Sequence, residues 1–195
     1  MNPVEMLYLK RQLSKYQFKV HSLHYPSARH DIAHNTQLLK QKIRQLDLSN
    51  THIVAHSLGG IMTLCLLAEE QLPIVDRVVL LGSPLNGSYV ADRVSQWPII
   101  SRLIKNSLKN GLDGQYVLPS QTVDIGMIAG VSESIGIGKL IGGMPEASDG
   151  TVLLSETKHP ILSQHTVVKK SHTGLLFSKE VAQLTANFLN TGRFQ

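Results

Sequence analysis

The chain has 195 residues, of which 42% are hydrophobic and 17% are charged, and its formal net charge is +5 at pH 7. These values exclude a disordered chain and predict a single domain over residues 1–195 with a sizeable core. No apolar run approaches the roughly 20 residues of a membrane-spanning helix. The basic residues are scattered, without interleaved aromatic residues, so the charge predicts a solvated surface and no nucleic-acid site.

The first residues and the single cysteine bear on the cellular compartment. Residues 1–16 mix acidic, basic and apolar side chains, which secretory signals do not do. Cys65 is the only cysteine, so no internal disulfide can form, and this favours a reducing compartment. We expect a cytoplasmic protein on these grounds, unless the natural chain begins further upstream and carries a signal there.

Strands and helices are predicted to alternate along the chain. Asn2 and Pro3 fit the start of a first helix, as N-cap and first helical residue, and apolar residues follow at helical spacing as far as Leu13. Further along, the patterns predict strands at 17–25, 51–56, 77–82, 123–129 and 164–170 and helices at 31–46, 60–71 and 175–189. This alternation predicts an α/β fold, with a mainly parallel sheet of about five strands covered by helices on both faces.

Two segments interrupt the alternation. Residues 84–122 carry more apolar side chains than a plain connection needs, with Trp97 and Leu103 among them, which predicts short helices that cap a site. Residues 132–150 are rich in glycine, but the spacing fits neither the dinucleotide fingerprint nor the P-loop. We therefore expect a cap-like insertion and a flexible connection within one domain.

The most informative stretch is Ala-His-Ser-Leu-Gly-Gly at 55–60, between a predicted strand and a predicted helix. In a Gly-x-Ser-x-Gly motif, the serine lies on a sharp turn that exposes its hydroxyl beside the N–H groups of the helix start. Ala55 replaces the first glycine of that motif, which adds only one methyl group. Ser57 is therefore the candidate nucleophile and the Leu58 N–H a candidate oxyanion donor. The alternative is a helix start of small residues with an incidental serine.

A serine nucleophile needs a base that takes its proton and an acid that orients the base. In a parallel α/β sheet these side chains come from loops at the carboxyl ends of the strands. Among the 9 histidines, His172 alone directly follows the last predicted strand. Asp149, in a Ser-Asp-Gly loop, is the predicted acid, with Glu133 and Glu146 as alternatives. The predicted triad is Ser57, Asp149 and His172 in that order.

These motifs resemble the α/β-hydrolase superfamily, in particular its bacterial lipase and esterase branch that is similar to PGAP1-like proteins. The resemblance lies in AHSLGG at 55–60, GSPLNGS at 82–88, SDGTV at 148–152 and the segment around His172. It implies hydrolysis of carboxylic esters, on a small molecule or a lipid, through an acyl-enzyme and without metal or cofactor. Leu85 and Trp97 are the predicted substrate contacts.

Members of that family normally begin with a central strand that ends in a His-Gly loop, and this loop supplies a second oxyanion N–H. No such strand precedes the first predicted helix, so the chain resembles a reduced α/β-hydrolase fold or a truncated one. The strands at 17–25 and 51–56 are expected either to pair directly or to leave a gap that another chain fills. Two other functions stay open: a hydrolase-fold binding protein without efficient turnover, and an acyltransferase that uses the same triad.

Overall fold

The computed structural model describes residues 6–25, 30–46, 48, 50–69, 74–95, 112–119, 123–132, 138 and 142–195. The α-helices in these residues are α1 (Leu7–Ser14), α2 (Ile32–Gln45), α3 (Leu58–Leu67), α4 (Tyr89–Ser95) and α5 (Lys179–Thr191). The strands are β1 (Asn50–His56), β2 (Ile74–Leu81), β3 (Asp124–Gly130) and β4 (Gln164–Val168). Short 3-10 turns lie at Ser155–Thr157 and Gly174–Phe177. Within the described part of the chain, no helix is long and apolar enough to cross a bilayer.

The strands form one parallel sheet in the order β1-β2-β3-β4. Alternate residues of β2 point to opposite faces, as the pleat of a strand requires. Val78 and Leu80 pack on one face with residues of α2 and α3, whereas Val79 and Leu81 pack on the other face with residues of α1 and α5. The sheet is therefore covered on both sides, and the predicted α/β fold is confirmed.

Most element boundaries agree with the sequence patterns. Asp31 caps α2 because its carboxylate accepts a hydrogen bond from the backbone N–H of His34 at 2.8 Å. The predicted last helix, 175–189, divides into the 3-10 turn at Gly174–Phe177 and α5. Ser178 separates the two and caps α5 by accepting from the Val181 N–H. The predicted first cap, Asn2, lies outside the described residues.

The predicted strand at 17–25 is wrong. Residues 18–25 form neither strand nor helix, and Gln17 has a left-handed φ of 68°. Phe18 and Val20 pack on one face of the sheet and Leu23 and Tyr25 on the other, but buried side chains do not provide a pairing partner for the backbone. The sheet therefore has four strands within the described residues, with β1 at one edge.

An open groove of about 500 Å³ lies between residues 17–25 and β1. Its lining includes Asn50 to Ala55 of β1, together with residues of α1 and α2. Of the two arrangements expected from the sequence, the structure therefore has the gap and not the direct pairing. This groove is called the β1 groove below.

A close approach between α3 and the loop after β2 depends on Gly60. A Cβ atom at residue 60 would lie 2.1 Å from Oγ and 2.6 Å from Cβ of Ser83, which is fully buried. Gly60→Ala is therefore expected to lower the free energy of unfolding by about 1–3 kcal/mol through overpacking, even though alanine gains up to about 1 kcal/mol in helix propensity. Urea denaturation measures the loss.

The matched control for this prediction is Gly60→Ala in a Ser83→Gly background, where the colliding side chain is absent. The cost of the alanine should shrink there, since residues in contact do not act additively. An equal cost in both backgrounds would show that the contact with Ser83 is not its cause.

Candidate active site

The candidate site is built where the four strands end. Hydrogen bonds continue the ladder just past each strand: the Ser57 N–H donates to Leu81 O at 2.9 Å, and the Gly82 N–H donates to Ile128 O at 3.0 Å. The Val131 N–H likewise donates to Val168 O at 2.9 Å. The loops after β1, β2, β3 and β4 therefore meet at the carboxyl ends of the strands, as the parallel topology requires.

Ser57 occupies a strained turn between β1 and α3. Its φ of 56° and ψ of −130° lie outside the ordinary helix and strand regions, and Gln17 is the only other described non-glycine residue with a positive φ. Such strain is costly and tends to occur at functional sites. Leu58 begins α3, so its N–H belongs to the first turn, whose donors have no partner inside the helix. The half-buried serine thus lies directly before the Leu58 N–H, whose role as an oxyanion donor stays a prediction.

Asp149 and His172 form a hydrogen-bonded pair. Asp149 is 2% exposed, and its Oδ2 lies 2.7 Å from Nδ1 of His172. Its other oxygen, Oδ1, accepts from the backbone N–H groups of Thr151 at 2.9 Å and Val152 at 2.8 Å. A carboxylate can only accept, so Nδ1 carries the proton and Nε2 of His172 is left with a lone pair. This is the tautomer that a general base needs.

Gly82 brings the loop after β2 against this pair. Its φ is +52°, and a Cβ atom at this position would lie 3.0 Å from Asp149 Oδ2 and 3.3 Å from His172 Nδ1. A side chain here would be strained by the backbone angle and crowded by the carboxylate and the imidazole. The first residue of the GSPLNGS motif thus has a physical reason to be glycine.

His56 adjoins the same pair, and sequence reasoning did not find this contact. Its Nε2–H donates to the carbonyl oxygen of His172 at 3.0 Å, and the two ring centroids are 4.4 Å apart. Burial, together with the nearby His172, lowers the pKa of His56 to about 3. The residue therefore stays neutral and fixes the backbone that carries His172.

The lowered pKa of His56 predicts a pH-dependent stability. An unfolded histidine binds a proton below about pH 6.5, whereas the folded His56 does not until about pH 3. The free energy of unfolding should therefore fall as the pH drops through this window, by up to about 1.4 kcal/mol per pH unit. His56→Gln keeps an N–H donor but does not titrate, so urea denaturation between pH 4 and 7 should show a shallower slope.

His21 provides the control for this measurement because its side chain is exposed. His21→Gln should leave the slope of unfolding free energy against pH as it is in the unchanged protein. A slope that is identical in all three proteins would show that His56 is not the group responsible.

A buried carboxylate, Glu156, connects the turn of Asp149 to α4. It is 6% exposed, and its oxygens accept from the backbone N–H groups of Tyr89 and Leu153. Burial raises the pKa of this carboxyl above its ordinary value, although both hydrogen bonds oppose the change. Glu156 therefore fixes the segment after β2 and the Asp149 turn to each other. No sequence pattern distinguished it.

The other predicted site residues are placed as follows. Glu146, an alternative acid, is exposed and accepts hydrogen bonds from Ser155, so it does not join His172. Glu133 lies outside the described residues, as do Trp97 and the rest of 96–111 and 120–122 in the insertion at 84–122. The side chain of Leu85 is 1% exposed and packs in the core beside α2 and α3, and its predicted contact with substrate stays a prediction.

No protein-family model matches the sequence, and no curated protein is significantly similar to it. Solved structures do match. The mature form of a lipase from Bacillus licheniformis is 20% identical with a TM-score of 0.57, over 84% of this chain and 75% of the lipase. A metagenomic carboxyl esterase is 18% identical with a TM-score of 0.59, over 83% of this chain and 62% of the esterase.

An esterase from Exiguobacterium antarcticum is 13% identical with a TM-score of 0.59, over 97% of this chain and 88% of the esterase. At such identities a likeness establishes the fold alone. The chain thus has the α/β-hydrolase fold, as the AHSLGG and GSPLNGS motifs predicted. The nearer resemblance to PGAP1-like proteins stays a prediction.

Proposed function

We propose that the chain is a serine hydrolase that cleaves carboxylic esters through an acyl-enzyme. The observation that carries this proposal is the 2.7 Å hydrogen bond between buried Asp149 and His172. It lies at the carboxyl ends of the strands, where Ser57 occupies a strained turn. The three residues occur in the chain order of α/β-hydrolases. Lipases and esterases among the structural neighbours support the same reaction class.

In the proposed acylation step, Nε2 of His172 takes the proton of Ser57 as Oγ attacks the ester carbonyl carbon. The carbonyl oxygen becomes an oxyanion, and the Leu58 N–H at the start of α3 donates to it. Asp149 keeps the Nδ1 proton in place and stabilises the imidazolium. The bond to the alcohol oxygen then breaks, and this oxygen takes the proton from Nε2 as the alcohol leaves.

Deacylation repeats these roles with water. His172 Nε2 takes a proton from a water molecule, and the water oxygen attacks the carbonyl carbon of the acyl-enzyme. The second tetrahedral intermediate collapses when the bond to Ser57 Oγ breaks and Nε2 returns the proton to that oxygen. The carboxylic acid leaves, and no metal or cofactor takes part in either step.

The substrate class rests on the insertion at 84–122. Its apolar side chains, with Trp97 among them, are proposed to form the wall of an acyl pocket, so the ester is a small molecule or a lipid with an apolar acyl group. A cytoplasmic location is part of this proposal, because the lone Cys65 needs no oxidising compartment.

Labelling with a fluorophosphonate probe tests the proposal. The probe reacts with activated serines, so it should label Ser57 in the unchanged protein and should not label the Ser57→Ala variant. A folded protein that the probe does not label would favour the hydrolase-fold binding protein instead. Product analysis then separates hydrolysis from acyl transfer: a free acid indicates the hydrolase, and an ester of an added alcohol indicates the transferase.

A further inference from the structure

The three residues of the proposed triad differ in how the sheet holds them. Ser57 directly follows β1 and His172 closely follows β4, so the strands place both of them. Asp149 instead lies in the long connection between β3 and β4. Within the described residues, that connection holds one complete element, the short 3-10 turn at Ser155–Thr157. Contacts of the connection itself therefore decide where Asp149 lies relative to His172.

The segment that carries Asp149 is a turn closed by its own hydrogen bonds. An isolated antiparallel bridge pairs Ser148 with Leu153, so residues 147–154 form one local unit, which is called the acid turn below. A turn of this kind keeps its place only through contacts with other segments. One such contact joins it to the histidine loop, where the His172 N–H donates to Asp149 O at 2.9 Å.

Glu156 joins the acid turn to a second segment. Its Oε2 accepts from the Leu153 N–H at 2.8 Å, and its Oε1 accepts from the Tyr89 N–H at the start of α4 at 2.5 Å. Asn86 reinforces this link, because its backbone N–H donates to Glu156 O at 3.1 Å and its Nδ2 donates to Lys158 O at 2.6 Å. The carboxylate is thus shared between the acid turn and the segment after β2.

This link keeps a carboxylate away from water. Glu156 is 6% exposed, and burial raises the pKa of its carboxyl, with nearby Asp149 adding to the change. Both carboxylate oxygens accept, and each receives an N–H from a different segment. A glutamine of the same shape has one accepting oxygen, and its amide nitrogen can only donate. The link therefore needs a carboxylate and not merely a side chain of this size.

We propose that Glu156 is a positioning residue of the hydrolase, which acts on the rate through Asp149 by holding the acid turn at hydrogen-bonding distance from His172. This role rests on the proposed function, since it belongs to the same site. A shift of the acid turn would lengthen the 2.7 Å bond between Asp149 Oδ2 and His172 Nδ1. A misplacement of about 1 Å lowers the rate of a catalysed reaction by up to about 10²-fold.

A double-mutant cycle tests whether Glu156 acts through Asp149. Glu156→Gln is expected to lower the kcat/KM for p-nitrophenyl acetate about tenfold or more. In the Asp149→Asn background the same change should cost less than about twofold, because the carboxylate that Glu156 positions is already absent. A merely structural role would cost the same factor in both backgrounds. Asn86→Ala, at an exposed residue on the other side of the link, should act in the same direction and carries the cycle if Glu156→Gln does not fold.

Two variants are the matched controls for this cycle. Glu146→Gln changes an exposed carboxylate that accepts from the Ser155 N–H beside Glu156, and it should keep full kcat/KM. Asp31→Ala removes the cap of α2 and should lower the free energy of unfolding by about 1 kcal/mol. It should nevertheless leave kcat/KM unchanged, which separates loss of stability from loss of positioning.

A measurement without turnover separates this role from the proposed function. A proton held between imidazole and carboxylate gives a far-downfield proton resonance, and the His172 Nδ1 proton should give one in the Ser57→Ala variant. Adding Glu156→Gln should broaden or remove the resonance, and adding Glu146→Gln should not. If the resonance responds but the unchanged protein hydrolyses no ester, the proposed function is overturned and the link to Asp149 is supported.

Three results would overturn the positioning role in an active enzyme. Glu156→Gln could keep full kcat/KM, it could cost the same factor with and without Asp149→Asn, or the resonance of His172 could stay unchanged. Each of these would leave the proposed hydrolysis by Ser57 intact, since that is tested by labelling and by the loss of activity in Ser57→Ala.

Discussion

Replacing Ser57 or His172 with alanine is expected to lower the kcat/KM of ester hydrolysis by a factor on the order of 10³ or more. In the proposed mechanism Ser57 supplies the oxygen that forms the acyl-enzyme. His172 is the base, and its imidazole is oriented by the 2.7 Å hydrogen bond between Nδ1 and Asp149 Oδ2. Either change removes the covalent route, so the remaining rate comes from binding and from the Leu58 N–H alone. Hydrolysis of p-nitrophenyl acetate and butyrate measures the effect.

The double variant, Ser57→Ala with His172→Ala, should be little slower than either single variant, because residues that act as one unit are not additive. His21→Ala, at an exposed histidine, is the matched control and should keep full activity. Thermal unfolding of each variant checks that the fold is kept. If the two single losses multiply in the double variant, Ser57 and His172 do not act in the same step.

The pairing of Asp149 with His172 was predictable because it follows from local patterns and one topological rule. Strands recognised by short apolar runs are parallel in an α/β fold, so the loops that follow them lie together at the carboxyl ends of the strands. His172 closely follows the last predicted strand, Asp149 lies in the long connection that follows the strand before it, and the structure joins the two by a hydrogen bond. Neither inference needed the packing of distant side chains.

The segment at 17–25 shows where pattern reasoning fails. Phe18 and Val20 are two residues apart, as in a half-buried strand, and both pack against the core that contains α1 and α5. Leu23 is out of phase with them and packs against the core on the other face of the sheet. A periodicity measures which side of the chain is buried, whereas a strand also needs a neighbour whose backbone lies within hydrogen-bonding reach. Among the residues that the structure describes, no neighbour of that kind lies across the β1 groove.

Three further residues depended on contacts that no local window contains. His56 bonds to a residue 116 positions away, and Glu156 accepts from the N–H of a residue 67 positions away. Leu85 lies in a motif that indicated a site, but its side chain completes the core beside α2 and α3. Packing decides whether a loop side chain points into the core or into the site. A single sequence does not predict this choice.

Asp149→Asn is expected to lower kcat/KM by about 10²-fold or more, somewhat less than the loss of Ser57 or His172. The reason lies in the hydrogen bonds of the carboxylate. Oδ1 accepts from the N–H groups of Thr151 and Val152, and the amide oxygen of asparagine can replace it there. The amide nitrogen then faces Nδ1 of His172, and it can only donate.

An imidazole that accepts at Nδ1 carries its proton on Nε2, and this is the wrong tautomer for taking a proton from Ser57. The fold should survive, because the turn keeps the two bonds at Oδ1, so the melting temperature should change far less than the rate. Glu146→Gln, at the exposed alternative acid, should keep full activity. If Asp149→Asn is fully active while Glu133→Gln is not, the acid is Glu133, and the bond between Asp149 and His172 only holds the two loops together.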